Sequence, residues 1–246
     1  MCRHLAYLGP PLPLSALLFD PPHSLAHQSW APQDMRGGGT INADGFGVGW
    51  YAGAPVRYRR ATPLWSDTTL PALATGMAAG AVLAAVRSAT VGMPVVETAA
   101  APFGDGPWLF SHNGKVTGWP GSMAKLAATL PPTDLLTLEA PTDSALLWAL
   151  ARDRLRSGAT PAVAVAGVIA EVERAAPGSR LNLLLTDGTS IVATTAGHAL
   201  SVRRDAHSVL VSSEPLDDDP AWRPVPDRTL LTATALDLTF TTLGDQ

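Results

Sequence analysis

Apolar positions along the 246-residue chain fall into two rhythms, one short and blocky, the other helical. Near the start, "MCRHLAYLG" is a mostly apolar run that stops at Gly9. "GFGVGWYAG" sets glycines between larger apolar side chains ahead of Gly53-Ala54-Pro55. Short apolar runs bounded by Gly and Pro fit buried strands, so both read as strands of one early sheet. Thr69 with Pro71 just after it marks a helix start. "AAGAVLAAVRSA" is apolar without a clear period, which leaves helix and buried strand both open. "WLFSHNG" reads as a strand entering a tight turn at Asn113-Gly114.

The middle of the chain changes period. After Pro141-Thr142, the residues Leu146, Leu147, Leu150 and Ala151 recur at helical spacing up to Gly158. Thr160-Pro161 opens a second helix, "AVAVAGVIAEVERAA", which ends near Gly178. Strand rhythm then returns in "RLNLLLTDGTSIVATTAG" and "LSVRRDAHSVLVSSEP", with turns at Asp187-Gly188 and Asp205-Ala206. Strands, two helices and strands again predict an α+β layered fold with largely antiparallel sheets. Pro and Gly are scattered and no solenoid-length repeat is present, so one domain over residues 2–246 is the simplest division.

Composition narrows the function. Apolar residues make up 46% and charged residues 15%, so the chain is expected to fold around a sizeable core. A net charge of −4 with no long basic run argues against nucleic acid as a partner. The apolar stretch Leu12 to Phe19 is broken by Pro13 and lacks a small-residue cleavage site, and Gly80 to Val86 is too short for a membrane span. The expectation is a cytoplasmic protein without a membrane partner. One cysteine permits no internal disulfide, and the six histidines form no ligand array, so neither metal nor cofactor is expected.

Four places carry candidate chemistry. Cys2 is either a small buried hydrophobe or, once Met1 is removed, an N-terminal thiol bearing its own amine. An α-amine has an ordinary pKa of about 7.7–8.0, which suits a general base at neutral pH. Asn113 and Gly114 are either a plain hairpin turn or two N–H donors for an oxyanion. Arg87, in "VRSATVG", either pairs internally, with Glu97 a candidate, or binds a carboxylate with Thr90 as a further donor. Asp143, in "PTDSALLWAL", either stabilises a helix N-terminus or holds an ammonium group. His4 and His112 have no carboxylate at obvious spacing and read as structural.

The penultimate Cys, "VRSAT", "SHNG" and "PTDS", in that order, together with "NADGFGVGWY" and "SSEPLDDDPAW", resemble the class II glutamine amidotransferases. These are the cysteine branch of the N-terminal nucleophile hydrolases. The likeness runs from Cys2 to about Trp222. It implies a four-layer αββα sandwich and a small γ-glutamyl substrate. Cys2 would be the nucleophile, Asn113 and Gly114 the oxyanion hole, Arg87 with Thr90 the α-carboxylate site and Asp143 the α-ammonium site. A glutamyl thioester on Cys2 would be the intermediate.

Within the family, "VRSATVG", "AAAPF", "WLFSHNG" and "LNLLLTDG" resemble the stand-alone hydrolases that remove glutamate from a γ-glutamyl-hercynylcysteine sulfoxide in ergothioneine biosynthesis. Glutamine-using relatives commonly carry His before the Pro-Phe step, where this chain has Ala101-Pro102-Phe103, leaving space for a bulkier leaving group. The chain also ends soon after the matching region, so transfer of ammonia within it is not expected. The alternatives are a glutaminase subunit feeding a separate synthase and a non-catalytic γ-glutamyl-binding module. Gln33 to Thr40, with Gly37, Gly38 and Gly39, is the expected lid. Trp30, Trp50, Trp65, Trp108 and Trp119 are candidates for holding a quaternary ammonium, with none chosen. Homo-oligomer formation is left open.

Overall fold

The fold is organised around β1 (Arg3–Pro13), whose first six residues are all buried. The computed structural model describes residues 2–36 and 41–244. Going along the chain, β2 (Phe46–Ala52), β3 (Ala54–Arg60) and β4 (Ala78–Val86) follow, then β5 (Phe103–Asp105) and β6 (Trp108–Lys115). After two long helices come β7 (Arg180–Thr186), β8 (Ile191–Thr195), β9 (Ser201–Arg204), β10 (Val209–Ser212), β11 (Arg223–Pro224), β12 (Thr229–Ala233) and β13 (Leu238–Thr242). One sheet has the order β11–β9–β10–β1–β4–β2–β3 and the other β13–β12–β8–β7–β6–β5. The pairings described are antiparallel, as in β1 against β4 and β6 against β7.

Period-2 alternation sorts the side chains into layers. On β1, Leu5 and Tyr7 face outward onto α1 (Ser15–Leu18), α2 (Leu25–Trp30) and α3 (Leu70–Gly76), while Ala6 and Leu8 face the second sheet. On β6, Leu109 faces the first sheet, whereas Phe110 packs outward beneath α6 (Asp143–Arg156) and α7 (Pro161–Ala175). The short α4 (Ala124–Ala127) and α5 (Pro132–Leu136) complete that outer layer. Helices, sheet, sheet and helices make the four-layer αββα sandwich. No helix among the described residues is long and apolar enough to cross a membrane.

Both long helices start where their capping residues predict: Thr142 accepts from the Ala145 amide and Thr160 from the Val163 amide. At α3 the expected Thr69 cap is absent, and the Asp67 carboxylate accepts from the Thr69 and Leu70 amides instead. "AAGAVLAAV" is a strand, β4, because it lies between β1 and β2 and is covered on both faces. The sequence rhythm is uninformative there since both sides are apolar. β1 continues past Gly9 to Pro13, with a shift of register between Leu8 and Leu12. The hairpin β12–β13 carries no mark in the sequence reading.

The Asn113-Gly114 turn is corrected: β6 runs through both residues, with Asn113 opposite Asn182 and Gly114 opposite Leu181. Gly114 is there for space, because a Cβ would run into the Arg180 carbonyl oxygen on β7.

Phe110 and Trp148 stack with ring centroids 5.4 Å apart and planes 26° from parallel, joining the second sheet to α6. Phe110→Ala is expected to cost about 3–5 kcal/mol, read as a lower midpoint in urea unfolding. An unchanged midpoint would show that the helix layer does not rest on this pair.

Candidate active site

The candidate residues gather at one end of the sandwich, where β1 begins and β4 and β6 finish. Arg3 pairs with Val86, so Cys2, one residue before the strand, lies beside Arg87 and Ser88. The Cys2 Sγ is 4.0 Å from the Ser88 carbonyl oxygen. Cys2 has the same parity as His4, which faces the second sheet and contacts Ser111 Oγ at 3.2 Å through Nδ1. Asn113 comes from that second sheet, on the same face as Ser111. Its Nδ2 is 3.4 Å from Ser213 Oγ, and Ser213 is hydrogen-bonded to both the amide and the carbonyl of His4. Cys2 and Asn113 thus enter the same inter-sheet layer from opposite sheets.

Arg87 is nearly buried and seated on two main-chain carbonyls, Pro94 at 2.9 Å and Asp44 at 3.4 Å. Among the described residues it pairs with no carboxylate. Glu97, the expected alternative, instead meets Arg60 at 3.2 Å. The Thr90 carbonyl accepts from the Met93 amide, closing the loop after Arg87, and Asp44 holds that loop by accepting from the Ala89 amide at 2.7 Å. Asp143 is buried at the first turn of α6. One oxygen accepts from the Val116 amide at 3.0 Å, the other from the Ser144 amide at 2.8 Å. It therefore ties the end of β6 to the start of α6, and its remaining lone pairs can still accept from an ammonium.

Two buried histidines of this region, His4 and His198, are held neutral by their surroundings. His112 Nε2 donates to the Arg180 carbonyl at 3.0 Å, and its Nδ1 lies 2.9 Å from Ser144 Oγ. Burial, with nearby His112, His198 and Arg3, pushes His4 down to about 3. Burial and the Arg180 charge do the same to His198, again to about 3. Imidazoles this weakly basic are poor bases toward a thiol at neutral pH. Among the described residues no three His, Cys, Asp or Glu side chains are grouped to hold a metal ion.

Residues 13–208 match the family model described as Glutamine amidotransferases class-II. The chain belongs to that family. It is 43% identical over 244 residues to the gamma-glutamyl-hercynylcysteine sulfoxide hydrolase of Mycobacterium tuberculosis (strain CDC 1551), covering 99% of this chain and 97% of that protein. It is 42% identical over 233 residues to the protein of the same name from Mycolicibacterium smegmatis, covering 94% and 95%. A solved glutamine aminotransferase class-II domain protein from Silicibacter pomeroyi superposes with a TM-score of 0.71 at 26% identity, covering 99% of this chain and 100% of that one.

Two groups in this class II amidotransferase escaped the sequence reading. Asp44 lies inside "NADGFGVGWY" and Glu214 inside "SSEPLDDDPAW", both noted as family stretches without roles. Glu214 is buried and accepts from Arg3 Nε at 2.7 Å, His23 Nε2 at 2.5 Å and the Gln33 and Asp34 amides at 2.8 and 3.2 Å. Its partners are far apart in sequence, so no local signal marks it. Of the expected lid, Gln33 and Asp34 are tied to Glu214, while Gly37, Gly38, Gly39 and Thr40 lie outside the described residues. Of the tryptophans, Trp108 and Trp119 pack on the second-sheet core and Trp50 on the first. Trp30 is exposed and meets the His27 ring edge-on at 4.7 Å.

Stability is expected to fall as pH drops. The unfolded chain takes up protons on His4 and His198 near their ordinary 6.5, while the folded chain does so only near 3. Burial alone would raise Glu214, but bonds from His23 and the Gln33 amide and the Arg3 charge hold it at about 2, against an ordinary 4.5. Each group therefore favours unfolding as pH falls, the histidines from 6.5 downward and Glu214 from 4.5, by about 1.4 kcal/mol per pH unit for each proton. Thermal melts should show Tm declining below pH 6.5 and more steeply below 4.5, and His4→Gln should flatten the upper part. A flat Tm between pH 6.5 and 4 would contradict the neutral state of these side chains.

Proposed function

We propose that this class II glutamine amidotransferase hydrolyses the γ-glutamyl amide of γ-glutamyl-hercynylcysteine S-oxide. The products are glutamate and hercynylcysteine S-oxide, as a step of ergothioneine biosynthesis in the cytoplasm. The observation that carries this reading is the 43% identity, over 99% of the chain, to a hydrolase named for that substrate. Removal of Met1 leaves one domain, residues 2–246, with Cys2 at its N-terminus.

In this mechanism the Cys2 amine takes the thiol proton and the sulfur attacks the γ-carbonyl carbon. Negative charge collects on the carbonyl oxygen, where the Asn113 side-chain N–H and the Gly114 N–H stabilise it. The Cys2 ammonium then gives its proton to the departing amine. Water, deprotonated by the same amine, hydrolyses the thioester and releases glutamate. Arg87 supports this reading because its guanidinium has no carboxylate among the described residues, which leaves its charge for the substrate α-carboxylate, with Thr90 beside it. Asp143 receives the α-ammonium.

Glutamate release by the Met-processed protein is expected to be far faster from the conjugate than from free glutamine. Intact mass should show Met1 absent, and Cys2→Ala should abolish turnover. Turnover of glutamine alone would point to an ammonia-supplying subunit, and persistence of function in Cys2→Ala to a binding module. Arg87→Met is expected to lower kcat/KM by about 1.5–3 kcal/mol, roughly tenfold to a hundredfold, mainly through KM. An unchanged KM would remove Arg87 from the substrate site.

A further inference from the structure

Arg3 has the opposite parity to Cys2 on β1, yet its guanidinium is bonded back to the nucleophile, and it lines one small cavity with Asp34, Asn113, His198 and Ser213. Nε donates to Glu214 Oε1 at 2.7 Å, Nη1 donates to the Cys2 carbonyl at 3.0 Å, and Nη2 donates to the Asp34 carbonyl. Each of the three nitrogens donates to a group of the protein itself. The Arg3 and Glu214 side chains are each only 3% exposed. A buried ion pair is a weak source of net stability, because desolvation offsets most of the attraction, so its presence calls for another explanation.

Cys2 supplies that explanation. The first residue paired in the sheet is Arg3, so Cys2 has no ladder partner to fix it. Among the described residues its side chain contributes only the long 4.0 Å contact to Ser88. Terminal residues fray unless tied down, while displacing a reacting group by about 1 Å costs on the order of a hundredfold in rate.

We propose that Arg3 and Glu214 form a positioning pair for the nucleophile. Glu214 locks the guanidinium, and the guanidinium locks the peptide between Cys2 and Arg3, holding the thiol toward Asn113. The proposal rests on Cys2 being the nucleophile. Two further bonds from Glu214, to the Gln33 and Asp34 amides, fasten the turn after α2 to the same carboxylate. Arg3 also holds the Asp34 carbonyl, so the turn and the nucleophile share one anchor.

The test compares Arg3→Lys and the double variant Arg3→Met with Glu214→Leu, against wild type and Cys2→Ala. Lysine keeps the charge facing Glu214 but, as a single ammonium, cannot span three acceptors in a fork. The double variant removes both charges, so neither is left buried alone. Steady-state kinetics with γ-glutamyl-hercynylcysteine S-oxide should show kcat down about tenfold to a hundredfold in both variants, with KM within about threefold of wild type. Alkylation of Cys2 by iodoacetamide, followed by mass, should lose its wild-type rate, while circular dichroism and Tm show a folded protein. A kcat within twofold of wild type in either folded variant overturns the positioning role. Full turnover by Cys2→Ala would overturn the nucleophile reading itself, a result independent of what Arg3 does.

Discussion

Because β1 is covered on both faces, the parity of its first residues decides the architecture of this end of the molecule. Even positions put Cys2 and His4 between the sheets, opposite Ser111 and Asn113 of β6. Odd positions put Leu5 and Tyr7 among the helices, with Arg3 on Glu214. A slip of one residue would exchange the two sets, burying a guanidinium in the inter-sheet layer and turning the thiol toward α2. Apolar Leu5, Ala6, Tyr7 and Leu8 make such a slip unfavourable, so the core fixes where the chemistry lies.

That layer changes character along its length. Away from the site it is filled by Ala6, Leu8, Leu83, Leu109 and Leu184, which exclude water. Toward the site it becomes polar, with His4, Ser111, Asn113, Asn182 and Ser213 all buried. Main chain supplies many of their partners: Asn182 accepts from the Ala196 amide and donates to the His198 carbonyl, and Ser213 bonds both ends of His4, whereas His4 Nε2 and Asn113 Oδ1 are buried without a partner among the described residues. A dry neighbourhood with fixed dipoles strengthens each interaction made at its mouth.

The fold was legible where a helix begins with a capping residue or two strands meet at a short polar turn. Thr142 and Thr160 located the two long helices, and Asp187-Gly188 and Asp205-Ala206 located two hairpins. In β4, covered on both faces, helix and strand stayed open because its small-residue apolar run has no period to read. Legibility failed at Asn113-Gly114, where glycine answers a close approach by Arg180 and not a turn. For the site, Cys2, Arg87, Asn113 and Asp143 were named from short motifs, and their neighbourhood follows from strands that end together. Glu214 and Asp44 were not, because their partners, main-chain amides together with Arg3 and His23 for Glu214, are distant in sequence and leave no local pattern.

The seat of Arg87 is built from the backbone: two carbonyls hold its guanidinium, and the Asp44 carboxylate grips the amide of Ala89 in the adjoining loop. Main-chain groups are common to all residues, so side chains around this corner can be exchanged without altering the acceptors themselves. The cation is therefore buffered against sequence drift in its surroundings. If this cation takes the substrate α-carboxylate as proposed, a lineage built on this plan can trade one departing group for another while keeping the same grip on the glutamyl part.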